Sequence, residues 1–162
     1  MNTKEKSFKQ ALKKIANTVA IVTCENGERR DATTVAWITK VSNVPPLIMI
    51  SVSSKRYIHN LISEAKEFNV AIIGEELEDL ALFCGTKTAY DVDKFNEWNI
   101  ETMKPYLISS PLIKSALVNL ECTLVNKFEV GDHTAFIGEV VAAHNLREGK
   151  PLIVTDRLCT LD

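Results

Sequence analysis

The chain has 162 residues, of which 46% are hydrophobic and 25% are charged, a composition typical of one globular domain that buries its own core. Its formal net charge of −2 and lack of a basic block argue against a nucleic-acid-binding protein. No apolar run reaches membrane-spanning length, and the Lys-rich N-terminus lacks an apolar signal core. We therefore expect one domain over residues 1–162, cytoplasmic, with no nucleic-acid or membrane partner.

The cysteines are far apart in the sequence and form no Cys-x-x-Cys pair; they are Cys24, Cys84, Cys122 and Cys159. This spacing argues against a zinc site and a dithiol redox motif, so we expect no metal. Free cysteine usually behaves as a small apolar side chain. We therefore expect these residues in or near the core.

The first half of the chain predicts one helix followed by strands. Apolar residues fall on one face of a helix over residues 4–16. The β-branched run 18–24 predicts a strand that ends in an Asn-Gly hairpin turn, and residues 33–41 predict the next strand. The apolar run 47–53 predicts a strand buried on both faces.

The middle of the chain predicts two helices, one strand and a long loop. Residues 57–67 predict a helix with Ile58, Leu61, Ile62 and Ala65 as its buried stripe, and 68–74 predict a buried strand. A helical pattern over 76–83 is followed by a polar loop through Trp98. Such a loop inside a compact domain is usually functional or poorly ordered.

The last third predicts mainly strands. Residues 110–116 predict a helical turn, and 118–131 and 133–146 predict two long strands joined at a Gly-Asp turn. Residues 151–158 predict a final strand. About seven strands, few helices and no βαβ alternation predict a mainly β fold, a closed or partly open antiparallel barrel.

A hydroxyl-rich turn precedes the predicted helix at residue 57 and resembles a phosphate site. Ser51, Ser53 and Ser54 lead into Lys55 and Arg56. The free amides and the dipole of a helix N-terminus favour an anion, and a basic side chain adds a charge-assisted contact. The alternative from residue types alone is an ordinary capped helix with solvated basic residues.

Other candidate site residues have equally ordinary alternatives. Trp37 could pack in the core, and His133 could be an exposed turn residue rather than a proton donor or ligand contact. Only one of two adjacent threonines, Thr33 and Thr34, can face a given ligand from a regular strand. The chain also lacks a Gly-x-Gly-x-x-Gly motif, a Walker loop and a Gly-x-Ser-x-Gly elbow, which disfavours a Rossmann dinucleotide site.

Five stretches in order along nearly the whole chain resemble the flavin reductase-like family of FMN-binding split-barrel proteins, which includes flavoredoxin-type proteins. They are TVAIVTCENG, WITKVSNVPPLIMISVS, DVDKF, PLIKSALVNLECTLV with EVGDHTAFIGEVVAA, and the terminal PLIV. The resemblance implies a six-stranded antiparallel Greek-key split β-barrel. It also implies a homodimer that binds FMN near the subunit interface.

The resemblance also implies particular site residues. A strand lies along the isoalloxazine, a strand-to-helix turn holds the phosphate, and the Asp-Lys-Phe loop closes over the flavin. The implied cofactor contacts are Thr33, Thr34, Ala36, Trp37, Ser51, Val52, Ser53, Arg56, Tyr57, His59, Asn60, Lys94 and Phe95. His133 is implied near the flavin or the nicotinamide, where it would assist proton transfer or positioning.

Two functions fit this resemblance. The first is an oxidoreductase that transfers electrons from NAD(P)H to flavin or a downstream acceptor, with the hydride chemistry supplied by FMN. The second is an FMN-binding electron carrier that exchanges electrons with partner proteins and does not use NAD(P)H itself. A barrel that has lost its flavin site is a third alternative. Residue patterns do not separate the first two.

Overall fold

A computed structural model describes residues 3–160. The helices are α1 (Thr3–Leu12), α2 (Tyr57–Ala65), α3 (Glu78–Thr86) and α4 (Lys94–Trp98), with a short 3-10 helix at Glu75–Leu77. The strands are β1 (Asn17–Thr18), β2 (Ala20–Asn26), β3 (Arg29–Val35), β4 (Ile38–Ser42), β5 (Leu47–Ser53), β6 (Glu67–Ile72), β7 (Thr102–Met103), β8 (Leu112–Ile113), β9 (Val118–Val130), β10 (His133–Asn145), β11 (Leu152–Val154) and β12 (Leu158–Thr160). The expected mainly β fold with a few helices is confirmed.

The main sheet is antiparallel and has the strand order β3-β2-β6-β9-β10-β5-β4 within the described part of the chain. It has seven strands, where the resemblance implies six. The long hairpin β9–β10 lies near its middle and turns at Gly131, whose φ of 60° suits glycine. The predicted Asn-Gly turn between β2 and β3 is also present, with Gly27 at φ 64°.

The predicted strand 33–41 is wrong as a single element, because the chain breaks at Ala36 and Trp37 into β3 and β4. These two strands lie at opposite edges of the sheet and are not hydrogen-bonded to each other within residues 3–160. The link from Val35 to Ile38 spans at most about 11 Å, since consecutive Cα atoms are ~3.8 Å apart. The sheet must therefore curl until its two edges nearly meet.

Helix α2 is fixed against the sheet by its apolar face. Ile58, Leu61 and Ile62 are buried and Ala65 is partly buried against the same cluster, which confirms the predicted stripe. Full burial of each large aliphatic side chain contributes about 2 kcal/mol. This packing holds the N-terminus of α2 at the end of β5.

Burial on both faces occurs in β2 rather than in β5, which corrects the prediction for 47–53. Alternate residues of β5 are buried and half-buried. In β2, Val22 belongs to the cluster beneath α2, while Ile21 belongs to a second cluster with α3 and α4. Strand β2 is covered on both faces because α2 and α3 pack on opposite sides of it.

Several element boundaries differ from the predictions. The first helix ends at Leu12 instead of residue 16. The predicted loop 84–98 contains α4, which begins because the Asp93 carboxylate accepts hydrogen bonds from the backbone N–H groups of Phe95 (3.0 Å) and Asn96 (3.2 Å). The short strand β8 replaces the predicted helical turn, and β11 and β12 replace the single last strand.

The cysteines are all free thiols. Cys24, Cys84 and Cys122 are buried and Cys159 is partly buried, as expected for small apolar side chains. Burial raises the pKa of the Cys84 thiol to about 12, which disfavours a reactive thiolate.

None of the helices in residues 3–160 has the length and apolar character needed to cross a membrane.

Candidate functional site

A cleft of about 430 Å³ opens where the break between β3 and β4 meets the end of β5. Antiparallel pairing of β5 and β10 brings His133 opposite Ser53. The Ser51 N–H donates to the Trp37 carbonyl over 2.9 Å and ties the break to β5. The cleft is lined by Thr33, Thr34, Val35, Ala36, Trp37, Ser51, Val52, Ser53, Lys55, Arg56 and His133.

The two threonines of β3 have different hydrogen-bonding states. The Thr34 hydroxyl donates to the Ala81 carbonyl of α3 over 2.5 Å. The Thr33 Oγ1 is buried and has no hydrogen-bond partner among the described residues. A buried hydroxyl without a partner costs free energy. The Thr33 hydroxyl is therefore available to hydrogen-bond a ligand from the wall of the cleft, whereas the Thr34 hydroxyl is already bonded to α3.

The β5–α2 turn has the features of an anion site. Arg56 is the N-cap residue of α2, and its side chain makes no hydrogen bond to the first turn of the helix. The Arg56 Nη2 donates to the Gly85 carbonyl at the end of α3 over 2.6 Å, which holds the guanidinium across the cleft. Lys55 adds a second cation. The helix dipole and the two positive charges favour a phosphate here.

Trp37 and His133 form an aromatic wall at the mouth of the cleft. Their ring centroids are 4.5 Å apart with an interplanar angle of 43°. Trp37 is 53% exposed, so the alternative that it packs in the core is wrong. The His133 Nδ1 lies 2.7 Å from the Asp132 Oδ1, and this hydrogen bond lowers the pKa of Asp132.

Three predicted contacts at the start of α2 do not line the cleft. Tyr57 packs edge-on against Tyr90 with ring centroids 5.0 Å apart. The His59 Nε2 lies 2.9 Å from the Thr134 Oγ1, and its Nδ1 lies 3.2 Å from the Asn60 Oδ1. These side chains instead connect α2 to the neighbouring loop and to β10.

The predicted contacts in the Asp-Lys-Phe loop lie beneath the cleft rather than in it. Lys94 is buried and forms an ion pair with Asp31. Phe95 is buried in the cluster with α3, and the Arg30 guanidinium lies 4.6 Å from the centre of its ring. Their role as direct flavin contacts stays a prediction.

Val35 also lines the cleft and was not among the predicted site residues. It is the last residue of β3, and the predicted continuous strand over 33–41 gave no reason to expect a break beside it. Lys55 lies beside Arg56 in the basic turn and lines the cleft, where the resemblance implied only Arg56. Within residues 3–160, no three His, Cys, Asp or Glu side chains come together as a metal site.

Curated relatives of this chain include flavin reductases of bacteria. An NADH-dependent flavin reductase of Rhodococcus sp is 32% identical over 137 residues, which covers 82% of this chain and 73% of the relative. The FMN reductase (NADH) SmoA of Agrobacterium fabrum is 33% identical over 149 residues, 91% of this chain and 80% of the relative.

Solved structures similar to this chain also include flavin reductases. The NADH:FAD oxidoreductase SgcE6 of Streptomyces globisporus is similar with a TM-score of 0.87 and 25% identity, covering 100% of this chain and 96% of that one. The flavin reductase PheA2 is similar with a TM-score of 0.83 and 27% identity, covering 100% and 99%. The family model described as flavin reductase like domain matches residues 12–161. The chain therefore belongs to the flavin reductase-like family.

Proposed function

We propose that this protein is an FMN-binding oxidoreductase that takes electrons from NADH and passes them to flavin or to a downstream acceptor. The main support is the convergence of β3, the link that follows it, β5, the basic turn before α2 and β10 on one cleft lined by most of the implicated residues. The names of the Rhodococcus and Agrobacterium relatives support NADH as the donor.

The residues of the cleft fit FMN. Arg56, Lys55 and the N-terminus of α2 suit the phosphate group, because they combine two positive charges with the positive end of the helix dipole. The exposed face of Trp37 suits the planar ring system. The unpartnered Thr33 hydroxyl suits a polar edge of the ligand. Riboflavin lacks the phosphate that this anion site would hold.

When bound, FMN supplies the hydride and electron-transfer chemistry, and the protein supplies orientation and electrostatics. Backbone amides and hydroxyls of β3 and β5 would hold the ligand's polar edges. Trp37 and His133 would exclude water from one side of the cleft. His133 would donate from Nδ1 to the Asp132 carboxylate and use Nε2 to accept a proton or to position the nicotinamide.

We also propose a homodimer with the cleft near the interface. Val125, Phe128 and Val130 of β9 are exposed apolar side chains, a typical feature of an interaction surface. Val130 is the cross-strand partner of His133, so a second subunit on this stretch would border the cleft.

The proposed architecture is one domain over residues 1–162 with a split-barrel fold. The curled sheet and the short link between its edge strands support this description. The cluster beneath α2 fills the concave side of the sheet.

The proposed function is tested by the absorbance of the purified protein before and after anaerobic addition of NADH. We expect added FMN to bind and its visible band to bleach with NADH. A bound flavin that is reduced only by dithionite would instead support the electron carrier. A protein that takes up no FMN would contradict both.

A further inference from the structure

Beneath the cleft lies an ion pair between two residues distant in sequence. The Lys94 Nζ is 3.0 Å from the Asp31 Oδ1, and both side chains are only 1% exposed. Removing two charges from water costs free energy that their attraction often fails to repay, so stability alone does not explain such a pair. Burial raises the pKa of Asp31, and the Lys94 ammonium opposes that rise.

The pair contacts the backbone of three different elements. The Lys94 Nζ also donates to the carbonyls of Ala32 (2.8 Å) and Cys84 (3.2 Å), so its ammonium has three acceptors. The Asp31 carboxylate accepts from the Ala32 N–H (2.7 Å), and the Ile58 N–H in the first turn of α2 favours the charged form of this carboxylate. Asp31 thereby places a negative charge from β3 beside the first turn of α2, where the N-cap side chain makes no hydrogen bond.

Each of these backbone contacts is next to a part of the cleft. Ala32 precedes Thr33, whose hydroxyl is unpartnered among the described residues. Cys84 precedes Gly85, whose carbonyl accepts from Arg56. Ile58 lies in the first turn of α2, directly after the basic turn. Asp31 and Lys94 themselves do not line the cleft.

We propose that Asp31 and Lys94 are positioning residues that set the geometry of the phosphate end of the cleft and so its preference for a phosphorylated flavin. The inference rests on the proposed function. Two of the three connections lead to the anion site, through Gly85 to Arg56 and through Ile58 to α2. Breaking the pair should therefore weaken FMN binding more than riboflavin binding.

The test measures the dissociation constants of FMN and riboflavin by quenching of flavin fluorescence. The midpoint of urea unfolding, measured without added flavin, reports the stability of each variant separately. The variants are Lys94→Met and the double variant Asp31→Asn/Lys94→Met. The single variant leaves a buried carboxylate unpaired and is expected to lose stability. The double variant removes both charges, which keeps the test available if the single variant does not fold.

We expect the double variant to recover much of the urea midpoint that Lys94→Met loses. The FMN affinity of the double variant should stay about tenfold below that of the wild type, because a methionine side chain has no N–H group to hold the Ala32 and Cys84 carbonyls. An effect of this size is typical of residues that support a binding site without contacting the ligand. Riboflavin affinity should change by less than about threefold, because riboflavin has no phosphate for the displaced groups to bind.

The matched control is Glu121→Gln, which also neutralises a buried carboxylate bonded to backbone N–H groups. Glu121 pairs with Ala142, far along β10 from His133. This control should lower stability and leave FMN affinity unchanged. A folded double variant with wild-type affinity for both flavins would overturn the inference. Wild-type protein that binds neither flavin would overturn the proposed function as well.

Discussion

At the scale of single residues, the environment of each side chain decides what it can contribute to the cleft. Thr33 and Thr34 are neighbours of the same type, yet within the described residues one hydroxyl is unpartnered and the other is bonded to α3. Trp37 is a large aromatic residue that is held half-exposed beside His133 instead of joining the core. The anion site likewise depends on Arg56 being held across the cleft by the Gly85 carbonyl.

Replacing Arg56 with alanine should weaken FMN binding by about tenfold to a hundredfold, because a hydrogen bond to a charged group contributes about 1.5–3 kcal/mol. Riboflavin affinity should change little. Titration calorimetry at two salt concentrations measures both effects, and the loss should be smaller at high salt. Lys114→Ala, which removes an exposed cation paired with Glu101, is the control. Equal losses for FMN and riboflavin would show that Arg56 does not bind the phosphate.

Replacing His133 with alanine should keep the FMN affinity within about threefold of the wild-type value. It should slow flavin reduction by NADH about tenfold or more, because the variant loses a group that transfers a proton or positions a reactant. Stopped-flow absorbance under anaerobic conditions measures the rate. Asp132→Ala removes only the hydrogen-bond partner and should have a smaller effect. An unchanged rate in His133→Ala would remove His133 from the mechanism.

At the scale of elements, a buried carboxylate fastens an irregular segment to the central hairpin. Glu121 of β9 accepts hydrogen bonds from the backbone N–H groups of Tyr106 (2.7 Å), Leu107 (2.7 Å) and Ile108 (3.1 Å). The His144 Nε2 of β10 lies 2.6 Å from the same carboxylate. Burial alone would raise the pKa of Glu121, but these donors hold it below its usual range.

Replacing Glu121 with glutamine should lower the free energy of unfolding at pH 7 by about 2 kcal/mol, since an amide cannot accept all of these hydrogen bonds as an anion can. The lowered pKa means that the folded state favours the charged form. The stabilisation is therefore complete above the usual glutamate pKa of about 4.3 and is lost as pH falls through the folded value. Urea unfolding at pH 7 and at lower pH should show the difference between wild type and variant shrinking in acid. A constant difference would contradict this account.

At the scale of the whole molecule, the curl of the sheet brings the site together. The cleft takes residues from the edge strand β3, from the link to the opposite edge and from β5 and β10, and a flat sheet would separate them. The same curl leaves the outer end of β9 without cover in the single chain, with Phe128 and Val130 exposed. This arrangement supports a second subunit as the proposed cover.

Replacing Phe128 with serine should therefore shift the proposed dimer toward monomer, because removal of a large apolar side chain from an interface commonly costs more than about 1 kcal/mol of association free energy. Light scattering over a range of protein concentrations measures the change. Leu82→Ser on α3, where the side chain is similarly exposed, is the matched control. Wild-type protein that is monomeric at micromolar concentration with FMN bound would contradict the dimer.

Much of the fold could be predicted because its signals are local. The Asn-Gly turn, the two long strands of the hairpin and the apolar stripe of α2 were all identified from short windows of sequence. The break at Ala36 and Trp37 could not be identified, because a continuous β-branched run does not record which sheet edge each half will join. Helix α4 was missed because its cap, Asp93, lies in a loop rich in charged residues.

The mainly β class, the family and the stretches that form the cleft could be read from residue types and their order along the chain. Which side chains face that cleft depends on the tertiary structure. Lys94 and Phe95 belong to a site motif by resemblance, yet both are buried beneath it. Whether a side chain enters a cleft depends on partners from distant segments, such as Asp31 for Lys94 and Ala81 for Thr34. Those partners are fixed only when the sheet has curled and packed, because the contacts join residues that no local pattern relates.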